Sequence, residues 1–213
     1  MKRIFMVFAI ILAVSFLWSF SLKRPEVLSQ SSYSLLNRYK NPYINSIFTD
    51  NILLTLAYID EKVKKGDQIS WEKVKAPNTS TLTLKPGHTF AFHDNILKKY
   101  QNQKVVTTNA HFISSEGFKS DGWLMGDGVC HLASFLFETA KKAGLKAEAP
   151  TRHDFAPIAD IQKKDGVSIY YSPDNSHSSA LQNLYITNNR SKPIAFVFNY
   201  DSTFMNIKIQ ELN

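Results

Sequence analysis

Cys130 is the only cysteine of the chain, and it stands where a glycine-rich stretch turns into a helix, in GDGVCHLASFLFETAKKAGL (126–145). A thiol at a helix N-terminus faces unpaired backbone N–H groups and the positive end of the helix dipole. Both favour the thiolate, the nucleophilic form. Gly126 and Gly128 let the backbone approach a bound group closely, so N–H groups from Gly128 and Val129 to Cys130 could hold an oxyanion. A nucleophile of this kind needs a base within reach. His131 is adjacent in sequence, but successive helical side chains point about 100° apart, so its expected place is lining the site or at the helix start. His153, in APTRHDF, is the better base. A helix from Cys130 to Lys142 rises about 19 Å, and an extended run from Leu145 to Arg152 reaches up to about 26 Å. A helix–strand hairpin of these lengths returns His153 to the neighbourhood of Cys130. Asp165, or Asp154 beside the histidine, would then orient the imidazole in a Cys–His–Asp arrangement.

Blander chemistry competes with this reading. A lone cysteine at a helix start is also an ordinary small buried residue. His88, His93 and His111 carry no ligand spacing, and a zinc site built on Cys130 and His153 lacks a short metal motif. No metal and no cofactor is therefore expected. One cysteine also excludes an intramolecular disulfide. Tyr170, Tyr171, Tyr185, Phe196, Phe198 and Tyr200 mostly alternate, as core positions of a sheet do, with a sugar-binding platform as the lesser alternative.

The elements that must position these residues read as an α+β fold, with helices followed by a mostly antiparallel C-terminal sheet and Cys130 at the N-terminus of a central helix. Leu132, Phe135, Leu136, Ala140 and Ala143 form the apolar stripe of that helix, and Gly144 stops it. An earlier helix spans FTDNILLTLAYIDEKVKKGD, with Asp50 as its expected cap and Gly66 as its stop. STLTLKPGHTFAFHD changes to a period of two on either side of Pro86-Gly87, a strand–turn–strand, and KVVTTNAHFI offers a further strand. Residues 114–128 have loop composition. LKAEA, GVSIYY, ALQNLYITN, KPIAFVFNY and FMNIKIQ then read as short strands, neighbours pairing antiparallel.

The chain has 213 residues, 44% hydrophobic and 20% charged, an ordinary globular composition. Residues 4–22 carry no charge and as a helix would rise about 28 Å, the thickness of a bilayer's hydrocarbon core. Lys2 and Arg3 precede this run, so it is expected to act as a signal peptide or signal anchor, with the remainder extracytoplasmic. Residues 23–43 then read as a linker and 44–213 as a single domain. Net charge is +7 over the whole chain. Beyond Lys2 and Arg3, 23 basic residues remain against 18 acidic ones, a balance suited to anionic cell-wall material or a membrane surface. The basic residues are scattered in pairs such as Lys98–Lys99, and nucleic acid is not an expected partner.

Several blocks in one order resemble the VanW-like family: LKPGHTFAFHD, GDGVCHLASFLFETAKKAGLKAEA, RHDFAPI, DGVSIYY and LYITNNRSKPIAFVF, covering about residues 80–200. The chain departs from the family pattern at His131, where a glutamine is usual, and at Asp127, where a glycine is. The family's Asp-Ala-Thr-Val becomes Asp165-Gly166-Val167-Ser168. The resemblance implies a bacterial envelope protein. One family member is encoded in a vancomycin-resistance gene cluster, which points to peptidoglycan. Carried over by position, Cys130, His153 and Asp165 are the implied site. Two functions follow as expectations. One is a cysteine-dependent acyl transfer or hydrolysis on peptidoglycan stem peptides, as an amidase, peptidase or transpeptidase. The alternative is a non-catalytic module that binds the cell wall or assists another enzyme.

Overall fold

Two four-stranded sheets and two long helices make up the structure, a computed structural model that describes residues 24–123 and 126–213. The first sheet runs in the order β1 (Glu26–Ser34), β8 (Phe204–Glu211), β7 (Ile194–Tyr200), β2 (Asn78–Leu84), antiparallel throughout. The second runs β4 (Val105–Thr107), β3 (Thr89–Ala91), β6 (Tyr185–Thr187), β5 (Lys146–Glu148), with β3 and β4 parallel and the other pairs antiparallel. The α+β class holds. The expected membrane segment, residues 4–22, lies outside the described residues, and no helix among the described residues is long and apolar enough to cross a membrane.

β1 corrects the expectation of a linker over residues 23–43. Its sequence, EVLSQSSYS, is polar because it is an edge strand with much of its surface in water. The anchor is Tyr33, whose ring stacks on Phe135 at 4.0 Å and whose hydroxyl meets Glu138 Oε2 at 2.6 Å and Thr139 Oγ1 at 3.0 Å. Leu35 follows, fully buried.

Helix α1 (Pro42–Ile59) begins eight residues ahead of the expected cap. Asn41 is the cap, its Oδ1 accepting the N–H groups of Tyr43 and Ile44, and Pro42 takes the first helical position, where no N–H is needed. Asp50 is instead buried in the middle of α1 and ion-paired with Lys75 at 2.8 Å and Lys119 at 2.6 Å. α1 runs through the core with nearly every side of its second half buried, which explains why its apolar periodicity is blurred. A short helix, α2 (Trp71–Lys75), precedes β2.

Helix α3 (Val129–Lys142) starts one residue before Cys130, as its stripe predicts, and buries Leu132, Phe135 and Leu136 against α1 and the first sheet. Gly128 precedes it at φ +94°, and a Cβ there would lie 2.4 Å from the Phe48 carbonyl oxygen. Only glycine allows that crossing of α3 over α1.

The strand–turn–strand at Pro86-Gly87 is a corner where the chain leaves the first sheet for the second. The chain returns at a corresponding corner between β6 and β7. Asn188 ties the two corners together, donating from Nδ2 to the carbonyls of Leu84 and Lys192, each at 2.9 Å. GVSIYY forms no named strand. Its backbone bridges Arg152 with Val167 and gives the Tyr170 N–H to the Gln182 carbonyl, while Val167 and Ile169 donate to Ser134 Oγ and Cys130 Sγ. ALQNLYITN divides between a short helix, α4 (Ser176–Leu181), and β6.

Candidate functional site

Cys130, His131 and His153 share one cleft of about 290 Å³ between α3, the loop before it and the segments 153–157 and 169–171. The helix–strand hairpin therefore returns His153 to the α3 start, as the lengths require. The chemical state of the groups differs from expectation. Cys130 Sγ accepts the Ile169 N–H at 3.3 Å and faces the Ile169 carbonyl at 3.6 Å. Burial pushes the thiol up to about 11, and the nearby Asp127 charge pushes in the same direction. Desolvation thus acts against the thiolate that the helix terminus favours.

His153 is buried, with Nδ1 3.0 Å from the Ala156 carbonyl, a contact that requires Nδ1 to carry the proton. Burial lowers its basicity. Its orienting partner is therefore a backbone carbonyl and not a carboxylate. Asp165 lies in a turn at 163–165 and pairs with Lys141 in the last turn of α3. Asp154 is exposed and acts on the ring only through its charge.

Of the expected oxyanion groups, the Val129 N–H is engaged within the backbone, as is the N–H of His131. The Val129 N–H donates to Gly126 O at 3.1 Å and the His131 N–H to Gly128 O at 3.0 Å. The His131 side chain is only 5% exposed and sits 6.3 Å from the His153 ring, nearly perpendicular to it. Burial holds the His131 imidazole down to about 3, with the charges of Arg38 and His153 acting in the same direction. Its Nδ1 is buried without a hydrogen-bond partner.

Three features of the cleft escape sequence reasoning. Arg38, from the segment expected to be a linker, is buried on the cleft wall, pairs with Asp160 at 2.5 Å and lies 4.9 Å from the centre of the Phe135 ring. His111 stacks flat on Tyr171 at 4.0 Å, and its Nε2 is 3.0 Å from both Asp94 oxygens. The histidine–carboxylate pair expected at His153 is found here instead. The third feature is a pair of carboxyl groups, Asp121 and Asp127, in the loop before α3. Asp127 Oδ2 accepts the Asp121 N–H at 2.9 Å. In the sequence Asp127 stands out as a departure from the family pattern, whereas Asp121 is marked only by loop composition. Among the described residues, no three His, Cys, Asp or Glu side chains are grouped to hold a metal.

A family model described as VanW like protein matches residues 50–210. The chain belongs to the VanW-like family. The VanW-like match begins within α1 and ends in β8, so it contains Cys130, His131 and His153 and leaves Arg38 and the whole of β1 ahead of it. It extends beyond the blocks that carry the resemblance, at both ends. No curated protein and no solved structure matches the chain.

Proposed function

We propose that this VanW-like chain is an extracytoplasmic cell-envelope protein that binds peptidoglycan stem peptides in the cleft, with Cys130 as part of the cleft wall. One observation carries the reading. Apolar and aromatic side chains stand exposed around the cleft mouth, Phe155 at 70% and Tyr170 at 49% among them, above a few polar groups that include Cys130, His131, His153, Arg38 and Asp127. A few convergent polar groups inside an apolar rim are the usual make-up of a small-ligand site. The uncharged run at residues 4–22 and the net charge of +7 support an envelope setting with anionic surroundings. The test is calorimetric titration of purified peptidoglycan fragments into the full chain in detergent. Saturable binding is expected, weakened about tenfold in Phe155→Ala and in Tyr170→Ala, which corresponds to about 1.4 kcal/mol. Fragments that fail to bind at millimolar concentration would overturn the reading.

Cysteine-dependent acyl transfer or hydrolysis is the second reading, favoured by the meeting of Cys130 and His153 in one cleft. The upward push of burial on the thiol stands against it. The alkylation rate of Cys130 against pH, followed by intact mass, separates the two. Binding without chemistry predicts a rate that climbs only towards pH 11 and ignores His153→Ala. An apparent pKa below the free-thiol reference of about 8.5, lost in His153→Ala, would establish the enzyme.

A further inference from the structure

The end of the molecule where the chain crosses between the two sheets is basic. The β2–β3 and β6–β7 corners meet there, the Asn188 N–H donating to the His88 carbonyl at 3.0 Å and the Gly87 N–H to the Asn188 carbonyl at 2.8 Å. Lys85 lies in the first corner, and Arg190 and Lys192 lie in the second. Lys146 opens β5 opposite Thr187, its N–H donating to Asn189 Oδ1 at 3.2 Å, and the Lys104 carbonyl accepts the Thr89 N–H at 3.0 Å. β1 starts at the same place, because Glu26 pairs with Glu211 and Glu211 with Ile194. Arg24 precedes it, exposed. These cations are far apart in the sequence, and the fold gathers them.

The carboxylates at this end do not balance them. Glu211 is shared by Arg190 at 2.5 Å and Lys192 at 3.4 Å, and Glu26 is the acid beside it. Glu148, at the far end of β5, is held by Lys99 at 2.7 Å. Lys85, Lys104 and Lys146 are exposed and form no ion pair among the described residues. Away from the corners lysines face acids, as Lys75 and Lys119 face Asp50, Lys62 faces Asp60 and Lys65 faces Glu116. Like charges held together without counter-charges repel one another, and an anionic surface relieves that repulsion.

The course of the chain decides which anionic surface lies within reach. The uncharged run at residues 4–22 is followed directly by Lys23 and Arg24 and joins the described residues at this end, at the start of β1. The cleft lies at the other end. α3 runs antiparallel to β1: Ser29 Oγ donates to the Thr139 carbonyl at 2.9 Å, Tyr33 stacks on Phe135, and Arg38, past the end of β1, reaches the same ring from the cleft wall. The end of α3 closes on the corners, where Asn189 Nδ2 donates to the Gly144 carbonyl at 3.3 Å. Cys130 stands about 14 Å further along α3 than Thr139.

We infer that the corner end is a docking surface for the anionic phospholipid headgroups of the bilayer that residues 4–22 enter, and that the cleft opens away from the membrane. Lysines and arginines immediately beside a membrane-spanning run are drawn to acidic lipid. A soluble polyanion carries the same charge, but only a bilayer is brought to this end by the chain itself. The inference goes beyond the peptide-binding reading and shares with it only the envelope setting.

The experiment places the full chain in vesicles of phosphatidylcholine alone, or with about one third phosphatidylglycerol, and acetylates lysines with a membrane-impermeant reagent. Peptide mass spectrometry gives the rate at each lysine. Acetylation of Lys85, Lys104 and Lys146 is expected to slow at least about threefold in the anionic vesicles, and to recover in about 0.5 M salt, where surface charges are screened. Lys40, beyond the far end of β1, and Lys64, close after the Lys62 that reaches Thr79 at the far end of β2, are expected to react equally in both. The double variant Lys104→Glu, Lys146→Glu should lose the protection of Lys85, with a thermal melt in detergent confirming its fold. Equal rates at Lys85 in the two vesicles would overturn the inference, as would protection that falls equally on Lys40 and Lys64. Protection by added polyphosphate, with none from the anionic lipid, would overturn it in favour of a soluble polyanion. Titration of stem peptides is a separate measurement, so either idea can fail without the other.

Discussion

At Cys130 two effects of opposite sign meet on one sulfur atom. The helix terminus favours the anion, whereas burial and the charge of Asp127 favour the thiol. The sulfur instead receives the Ile169 N–H and so fixes the segment that carries Tyr170 and Tyr171 into the cleft. Cys130→Ser should preserve this contact, because a hydroxyl can accept the same hydrogen bond. Cys130→Ala should leave the Ile169 N–H without its sulfur partner and cost about 1–3 kcal/mol. Urea denaturation checks the ordering, and equal stability of the two variants would show that the contact carries no weight. The proximity of Cys130 and His153 is legible in the sequence because helix and strand lengths fix where a chain returns. The role of Asp165 is not. Lys141 claims that carboxylate across the fold, and the carbonyl that orients His153 belongs to Ala156, a backbone acceptor that every residue possesses. The Asp94–His111 pair is invisible for a similar reason, since the stacking of His111 on Tyr171 is a tertiary contact with no local pattern.

Among the elements, α3 is the most legible because it is amphipathic, with one face in the core and Lys141 and Lys142 in its last turn. The start of α1 is hidden because its cap lies in polar sequence and its body is buried too completely to show a face. Asn41→Ala should cost about 1 kcal/mol, the usual worth of a helix N-cap, whereas Asp50 acts through its two lysines and not as a cap. The joint of α3 on α1 makes a sharper prediction. Gly128→Ala must accept both a left-handed backbone at φ +94° and a Cβ 2.4 Å from a carbonyl oxygen. A loss of about 2–4 kcal/mol is expected. Gly66→Ala, at φ +90° with open space around it, meets only the backbone penalty of about 1–2 kcal/mol. Melting the two variants side by side separates strain from collision. β1 is masked by its serines, because an edge strand can be polar on most of its surface and still be anchored by one tyrosine.

For the whole molecule, the buried histidines set a response to acid. His93 is held as a neutral ring, with Nε2 3.2 Å from the Gln182 carbonyl and Nδ1 3.3 Å from the Asn183 amide nitrogen. Burial lowers its pKa to about 4 and that of His131 to about 3. Both lie below the unfolded value of about 6.5. The unfolded chain therefore binds protons first, so this contribution to stability is intact above about pH 6.5 and erodes as pH falls towards about 4. Each histidine should remove about 1.4 kcal/mol per pH unit in that window. Urea midpoints at about pH 7, 6 and 5 should show the decline, and His131→Phe should reduce its slope, with His93 and His153 carrying the remainder. The first sheet carries a consequence of another kind. Its edge strand β1 comes from the beginning of the described chain and pairs, rung by rung from Glu26 with Glu211, with β8 at the end. A chain emerging from its N-terminus has no partner for β1 until the final strand exists. Assembly of that sheet is bound to be late, non-local and slow. Until it closes, both β1 and β7 present open edges to other copies, so the hazard for this molecule is the interval before its last eight-residue strand arrives.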